Sequence, residues 1–509
     1  MLPVAKDFRR TPLKIRKSFI YASLLVTILW AGSISFAKGR YAPGDWVSYT
    51  NLRFVTSIAQ DFRYIYFGTT GGVLRYNKFS EYWEEPWTES DGLISNRVTQ
   101  VAYDPRYDQI WFQTSRGPCY YQPTFQEWYY GGTFPDSLVQ TVREKIDLPH
   151  FFMEFGYNFF RDAGYIEDQL LRKYPIRVYL KDDWDNIWMG TSGLGVAVGN
   201  TRSLQLKLFR YGLSESNVKT IFYDQDKNEM WLGGVGSFSP SRGITKYNPG
   251  NKSWEYYEAF YTPNLQTNEI NLIQGDNQNI WLGTREGLIR YDKKKQNFKT
   301  YNSFSGLLDD NILSLKPDGR FLWIGTRYGV NLYDSKKYSL ITVNDGLPRS
   351  TSIYSIESDS QWVWVGTRVG VYRLTKGEAT WYKFTTPEGM IGGRVNCITR
   401  FENEIWFGSD LGILSYNLKT EARNIYHNHT ELPGDEPAQI ALNQKVVWIA
   451  SPDGALKLDR TSGVWRVFTT ADGLLDDNIQ ALWLDGDYVW FGTPKGLTRF
   501  YWNSPSRID

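Results

Sequence analysis

Three arginines stand at one recurring position. Arg285, Arg327 and Arg368 each follow a Gly-Thr pair, and Asp410 holds the same place in the next copy. Planar guanidinium forks suit carboxylates, sulfates and phosphates. These four residues are therefore candidates for holding an acidic ligand, an acidic glycan among them. The competing expectation ties the arginines to turn carbonyls or to acidic neighbours such as Glu286. Carboxylates offer a second chemistry, since a glycosidase needs two of them about 5–10 Å apart. Asp91, Asp309, Asp310, Asp345, Asp476 and Asp477 are available, but they sit in repeated turns. Asp309-Asp310 and Asp476-Asp477 occupy the same turn in two copies, so copying explains them better than a unique catalytic pair does. There is no G-x-S-x-G and no H-E-x-x-H. The three histidines are His150, His427 and His429, too few for most metal or acid–base constellations, and His427 with His429 reads as an exposed loop feature. No catalytic residue, metal or cofactor is expected. A lyase or glycosidase is the last of the alternatives.

The elements that position these residues are read from a repeat. The pattern is aromatic, apolar, Gly, then Thr or Ser, as in Trp323-Ile324-Gly325-Thr326 and Trp490-Phe491-Gly492-Thr493. Seven copies are close and three looser ones begin at Trp111, Trp231 and Trp448. The ten aromatic anchors are separated by 45, 77, 43, 50, 42, 41, 42, 42 and 42 residues. A period of about 40–45 residues is one four-stranded propeller blade. Before each anchor runs an alternating strand, A, such as Val218–Asp224. The anchor is strand B, and a Gly-containing turn leads to strand C. A W-x-x-[FY] segment such as Trp465–Phe468 is strand D. A G-L-x-x-x-N turn then re-enters strand A. Large side chains of A and B should wedge between blades, since one blade alone cannot bury them. The B–C and D–A loops emerge on one face, around the channel mouth, where the arginines would sit.

The fold class predicted is thus all-β: a propeller spanning residues 45–505. Asp45-Trp46-Val47-Ser48-Tyr49-Thr50 reads as a strand D lacking its A, B and C, and Gly496–Phe500 as a strand C lacking its D. The first would complete the last blade and remove two open sheet edges. The simplest layout is one ring of ten blades. The alternative is two smaller rings, broken at the 50- or the 77-residue interval. Residues 135–174 are an insertion between blades 2 and 3, with helical spacing at Leu138, Val139, Val142 and Ile146. Its aromatic cluster (Phe151, Phe152, Phe155, Phe159 and Phe160) either docks a partner or packs on the neighbouring blades. Cys119 and Cys397 fall four blades apart in such a ring and are expected to be free thiols.

Residues 1–37 read as an address. Six basic groups and one acid precede Ser18–Ala37, which carries no charge. A basic head, an apolar stretch and small residues Ser35 and Ala37 before Lys38 form an export signal; an uncleaved N-terminal anchor is the alternative. Both put the rest outside the cytoplasm, periplasmic or secreted. The whole chain carries +2, but beyond this segment the net charge is about −3. A basic nucleic-acid binder is therefore disfavoured.

The motifs Asp472-Gly473-Leu474 through Asn478, Trp490-Phe491-Gly492-Thr493 and Gly496-Leu497-Thr498-Arg499-Phe500 resemble two-component regulator propeller repeats, and the resemblance covers about residues 45–505 apart from the insertion. It implies an extracytoplasmic sensor propeller that detects glycans or other nutrients, often as one half of a hybrid histidine kinase. No kinase or DNA-binding segment is present in these 509 residues, so direct signalling by them is not expected. The expected function is an exported, sensor-like recognition propeller for a carbohydrate-like or acidic ligand. The alternative is a protein-interaction scaffold in an envelope or secretion assembly.

Overall fold

Alternating apolar and polar residues build strands that pair as antiparallel meanders. The computed structural model describes residues 41–42, 44–139, 148–236, 242–385, 393–427 and 436–505. Ten sheets form, each with strands A to D hydrogen-bonded in order. Blades 1 to 3 span residues 55–83, 98–130 and 173–209. Blades 4 to 9 span 220–257, 272–301, 312–342, 355–383, 395–427 and 439–468, and blade 10 begins at 481. The expected closure is present: Trp46–Tyr49 pairs with Gly496–Tyr501 as the fourth strand of blade 10, with Trp46 opposite Phe500. Those two rings stack with centroids 3.9 Å apart.

The ten blades do not form one ring, which corrects the layout drawn from the repeat. Within a ring, each blade's entry is tied to the hairpin of the blade before it. The Ile312 amide donates to Thr284 O at 2.9 Å and the Ile353 amide to Thr326 O at 3.0 Å. By the same bond, 2.9 Å, the Val218 amide of blade 4 donates to Thr493 O of blade 10. Val218, Ile221 and Leu232 share one buried cluster with Ala481, Trp490 and Leu497. Blades 4 to 10 therefore close a ring of seven. Blades 3, 1 and 2 follow one another as a separate arc: blade 1 packs on blade 3 through Val55, Phe67, Val178 and Trp188, and on blade 2 through Val73, Val101 and Phe112. The chain passes between ring and arc at residues 50–54 and again at 210–219. The second crossing lies in a regular interval of 43 residues, not at the irregular ones.

The motif glycine explains the packing. A Cβ on Gly325 would lie 2.8 Å from Ile353 of the next blade, and one on Gly492 would lie 2.5 Å from Val218 O. Blade 2 carries Gln113 at this position, and its strand B buries only Ile110, Phe112 and Thr114. Gln109, Trp111 and Gln113 on the opposite face stay half-exposed. The short turn Asp136–Leu138 reaches the inner strand Val98–Asp104, and no other blade covers this face among the described residues.

The insertion is a β-hairpin, not a helical element, where it is described. Tyr157–Phe160 and Tyr165–Asp168 extend the sheet of blade 3. Of the helical spacing expected there, Leu138 and Val139 end a short 3-10 turn, and Val142 and Ile146 lie outside the described residues. Phe152, Phe159, Ile166 and Tyr174 cover Ile187, Met189 and Ala197, the face of blade 3 turned away from blade 1. The export segment 1–37 also lies outside the described residues. Among those described, no helix is long and apolar enough to cross a membrane.

Candidate functional site

The threonine of the repeat closes each B–C hairpin. Thr326 Oγ donates to Gly329 O at 3.0 Å and accepts the Tyr328 amide at 3.2 Å. Thr284 and Thr367 make the same bond to Gly287 and Gly370, each at 2.7 Å. Gly329 has φ 127°, a backbone that side chains resist. The tight turn holds two residues at its tip, and the first is Arg285, Arg327 or Arg368. All three are exposed on consecutive blades 5, 6 and 7. Ser352 Oγ, at the entry of blade 7, donates to Arg327 O at 3.3 Å. The hairpin tips and the D–A entries thus share one face, as expected.

The three guanidiniums make no hydrogen bond or ion pair among the described residues. Arg285 does not turn onto Glu286. Asp410 is different: its Oδ1 accepts the Arg394 amide at 3.1 Å, so it braces the entry of blade 8. Motif comparison missed Lys219, whose side chain approaches this group. Its Nζ donates to Asn271 Oδ1 at 3.0 Å, and burial followed by the Arg285 charge holds its ammonium below the usual lysine range. A long cation at the start of strand A in blade 4 is a signal the sequence contains, and the packing of blade 4 on blade 5 brings it to Arg285.

Most of the acids hold turns. Asp91 Oδ2 accepts the Thr88 amide and hydroxyl, both at 2.9 Å. Asp310 accepts the Ser303 amide and Asp477 the Thr470 amide, both at 2.6 Å. Asp345 accepts from Thr380 at 2.8 Å, and Asp476 pairs with Lys495 at 2.9 Å. Asp309 Oδ2 is buried without a partner. No cluster of His, Cys, Asp and Glu suited to a metal occurs among the described residues. His150 and His427 are exposed, and His429 lies outside the described residues. Cys119 and Cys397 are buried, and no disulfide joins them among the described residues.

The aromatic insertion divides. Phe152 and Phe159 are core residues, while Phe151, Phe155 and Phe160 are exposed. A second exposed aromatic group lies outside the motifs. Phe62 and Phe79, at the A–B and C–D turns of blade 1, are 82% and 58% exposed, and Trp184, at the A–B turn of blade 3, is 50% exposed. Phe62 and Phe79 have ring centroids 5.2 Å apart, and Trp184 meets Phe79 edge-on. They border an open pocket of about 420 Å³ that also meets Lys78 and Asp183.

No family model matches this chain. Among curated proteins it is 23% identical over 246 residues to Histidine kinase P4 of Formosa agariphila, a stretch covering 47% of this chain and 15% of that protein. The chain thus spans a small part of that relative's length. Among solved structures it is similar to PorZ, described as a surface component of the type-IX secretion system of Porphyromonas gingivalis. That match has a TM-score of 0.54 at 13% identity over 90% of this chain and 87% of PorZ. The extracellular domains of the hybrid two-component systems BT3049 and BT4673 of B. thetaiotaomicron match at 17% identity, with TM-scores of 0.49 and 0.48. They cover 88% and 89% of this chain, and it covers 75% and 70% of them. The curated relative that this stretch resembles is thus a histidine kinase. At 13% identity the likeness to PorZ bears on the fold alone, a multi-bladed β-propeller.

Proposed function

We propose that this chain is an extracytoplasmic, sensor-like recognition propeller that binds rather than transforms its ligand. The ligand is an acidic or carbohydrate-like molecule held on the loop face of the seven-bladed ring. The observation that carries the reading is the row of exposed guanidiniums, Arg285, Arg327 and Arg368, on consecutive blades and without partners among the described residues. Structural arginines normally find carbonyls or carboxylates, and these are left to solvent. The repeat motifs, the basic and apolar first 37 residues and the histidine kinase relative agree with it. The test is a double replacement, Arg327→Ala with Arg368→Ala, titrated calorimetrically with uronic-acid and sulfated oligosaccharides. Binding by the unmodified protein and a loss of at least tenfold in affinity in the variant are expected. Unchanged affinity would end the reading.

A second reading, a docking scaffold in the cell envelope, is favoured by the exposed group Phe62, Phe79 and Trp184. Exposed aromatic clusters of this kind mark protein contact surfaces. Phe151, Phe155 and Phe160 offer a further such surface, and PorZ, of like fold, is described as a secretion-system component. Envelope pull-downs with Phe62→Ser and Phe79→Ser separate the readings. Loss of a captured protein with glycan binding intact favours the scaffold.

A further inference from the structure

The joint between ring and arc contains an electrostatic anomaly. The chain leaves blade 10 at Thr50 and enters blade 1 at Val55, and Arg53 lies in this crossing. Its carbonyl accepts the Gly193 and Gly195 amides of blade 3 at 2.9 and 3.0 Å. Its amide donates to Asn51 Oδ1 at 3.0 Å. The side chain is 6% exposed and lies over the Tyr256 ring of blade 4, 4.3 Å from its centroid. Its Nε and Nη2 are buried without a hydrogen-bond partner among the described residues. A guanidinium so placed normally faces a carboxylate, because leaving its N–H groups unmet forfeits their hydration.

The neighbours deepen the anomaly. Burial is the largest effect holding Arg53 below its usual range; the Tyr256 hydroxyl beside it opposes that effect, and the charges of Arg210 and Arg242 add to it. Neither is neutralised by its own bond: Arg210 donates to the Tyr157 hydroxyl, and Arg242 Nη1 to the Tyr174 hydroxyl at 2.9 Å. The nearby carboxylate, Glu215, accepts the Arg242 backbone amide and is itself mostly buried, which raises its proton affinity. The stronger acids of this region are engaged elsewhere. Asp168 and Glu258 both grip Arg172. Three guanidiniums from the crossing, from the exit of blade 3 and from blade 4 thus converge with too little negative charge to balance them.

We propose that the ring–arc joint is an oxyanion site, in which Arg53, Arg210 and Arg242 together hold a sulfate, phosphate or carboxylate group. The donors are fork-shaped and the surroundings are poorly hydrated, so such a group is held more firmly than at the surface. Because the donors come from ring, arc and crossing, the anion pins the two bodies together. The group is either a free ion or the acidic substituent of a larger molecule.

The test uses the full chain. Thermal denaturation and calorimetry are run with sodium sulfate, sodium phosphate and, at matched ionic strength, sodium chloride. A saturable rise in the denaturation midpoint with sulfate or phosphate, absent with chloride, is expected. Arg210→Ala and Arg242→Ala, both at half-buried positions, should weaken that affinity at least tenfold. Arg53→Lys keeps a positive charge but removes the fork, and should weaken it similarly. Arg327→Ala with Arg368→Ala should leave it unchanged, which separates this site from the loop face. Glucuronic acid and a sulfated disaccharide form the second arm. Tighter binding than the free ions assigns the site to a carried acidic group, and equal or weaker binding assigns it to the free ion. A rise that never saturates, or one equal in all variants, overturns the proposal.

Discussion

The repeat glycines carry the most specific information in single residues. Gly366 sits with Val395 O 2.7 Å from where its Cβ would be, so Gly366→Ala should destabilise by about 1–3 kcal/mol through overpacking. Gln113→Gly, at the same motif position of blade 2, should relieve no clash and shift stability by less than about 0.5 kcal/mol, as for a surface change. Paired thermal melts of the two variants check this, and equal losses would contradict the uncovered face of blade 2. Asp168 supplies a pH dependence. Burial opposes its charge, but the Tyr174 hydroxyl and the Arg172 amide and guanidinium outweigh burial and hold its carboxyl below the usual range. Its contribution is therefore complete above the unfolded value of about 3.9 and is lost as pH falls through the folded one. Asp168→Asn should lower the midpoint at pH 7, with the difference closing as pH falls past the unfolded value and through the lowered folded one. Cys397, by contrast, is pushed up to about 12 by burial. A thiol reagent at pH 8 should label it only after unfolding; labelling of the folded chain would show that the seam between blades 8 and 9 opens.

Among the elements, the closing strand matters most. Trp46 is buried against Phe500 and Phe468, and Tyr49 packs with Tyr247 and Trp490. One four-residue strand thus ties blade 10 to itself and to blade 4. Trp46→Ala should cost about 3–5 kcal/mol and lower the midpoint of the ring, read by differential scanning calorimetry. A loss below about 1 kcal/mol would mean the ring closes without that strand. This pairing is legible in the residues themselves, because an orphan D strand at one end and a missing one at the other specify each other. The insertion is less legible. Its aromatic spacing suits either a helix or a hairpin, and only the face of blade 3 that it covers selects the hairpin.

At the scale of the whole molecule, seven blades closed on themselves differ from three in an open arc. Ring blades are covered on both faces by other blades, whereas among the described residues blade 2 is covered by another blade on one face only. Backbone amides of Gln109–Thr114 should exchange with deuterium at least tenfold faster than those of Trp362–Thr367, since opening there breaks fewer buried contacts. Equal protection would show that something covers blade 2 in solution. The sequence by itself determined the repeat unit, the strand order within it and the strand that completes the last blade. Each of these follows from local periodicity and from motif residues that act within a blade or its own hairpin. Which blade lies beside which was decided only in three dimensions. The contact surfaces of near-identical blades are interchangeable in pattern, so the period cannot say whether blade 10 meets blade 1 or blade 4. The one residue that marks the arc's end, Gln113 in the place of glycine, becomes readable only once the other glycines are seen pressed against their neighbours. Arg53, Arg210 and Arg242 are far apart in the chain and follow no motif; the crossing between ring and arc brings them together.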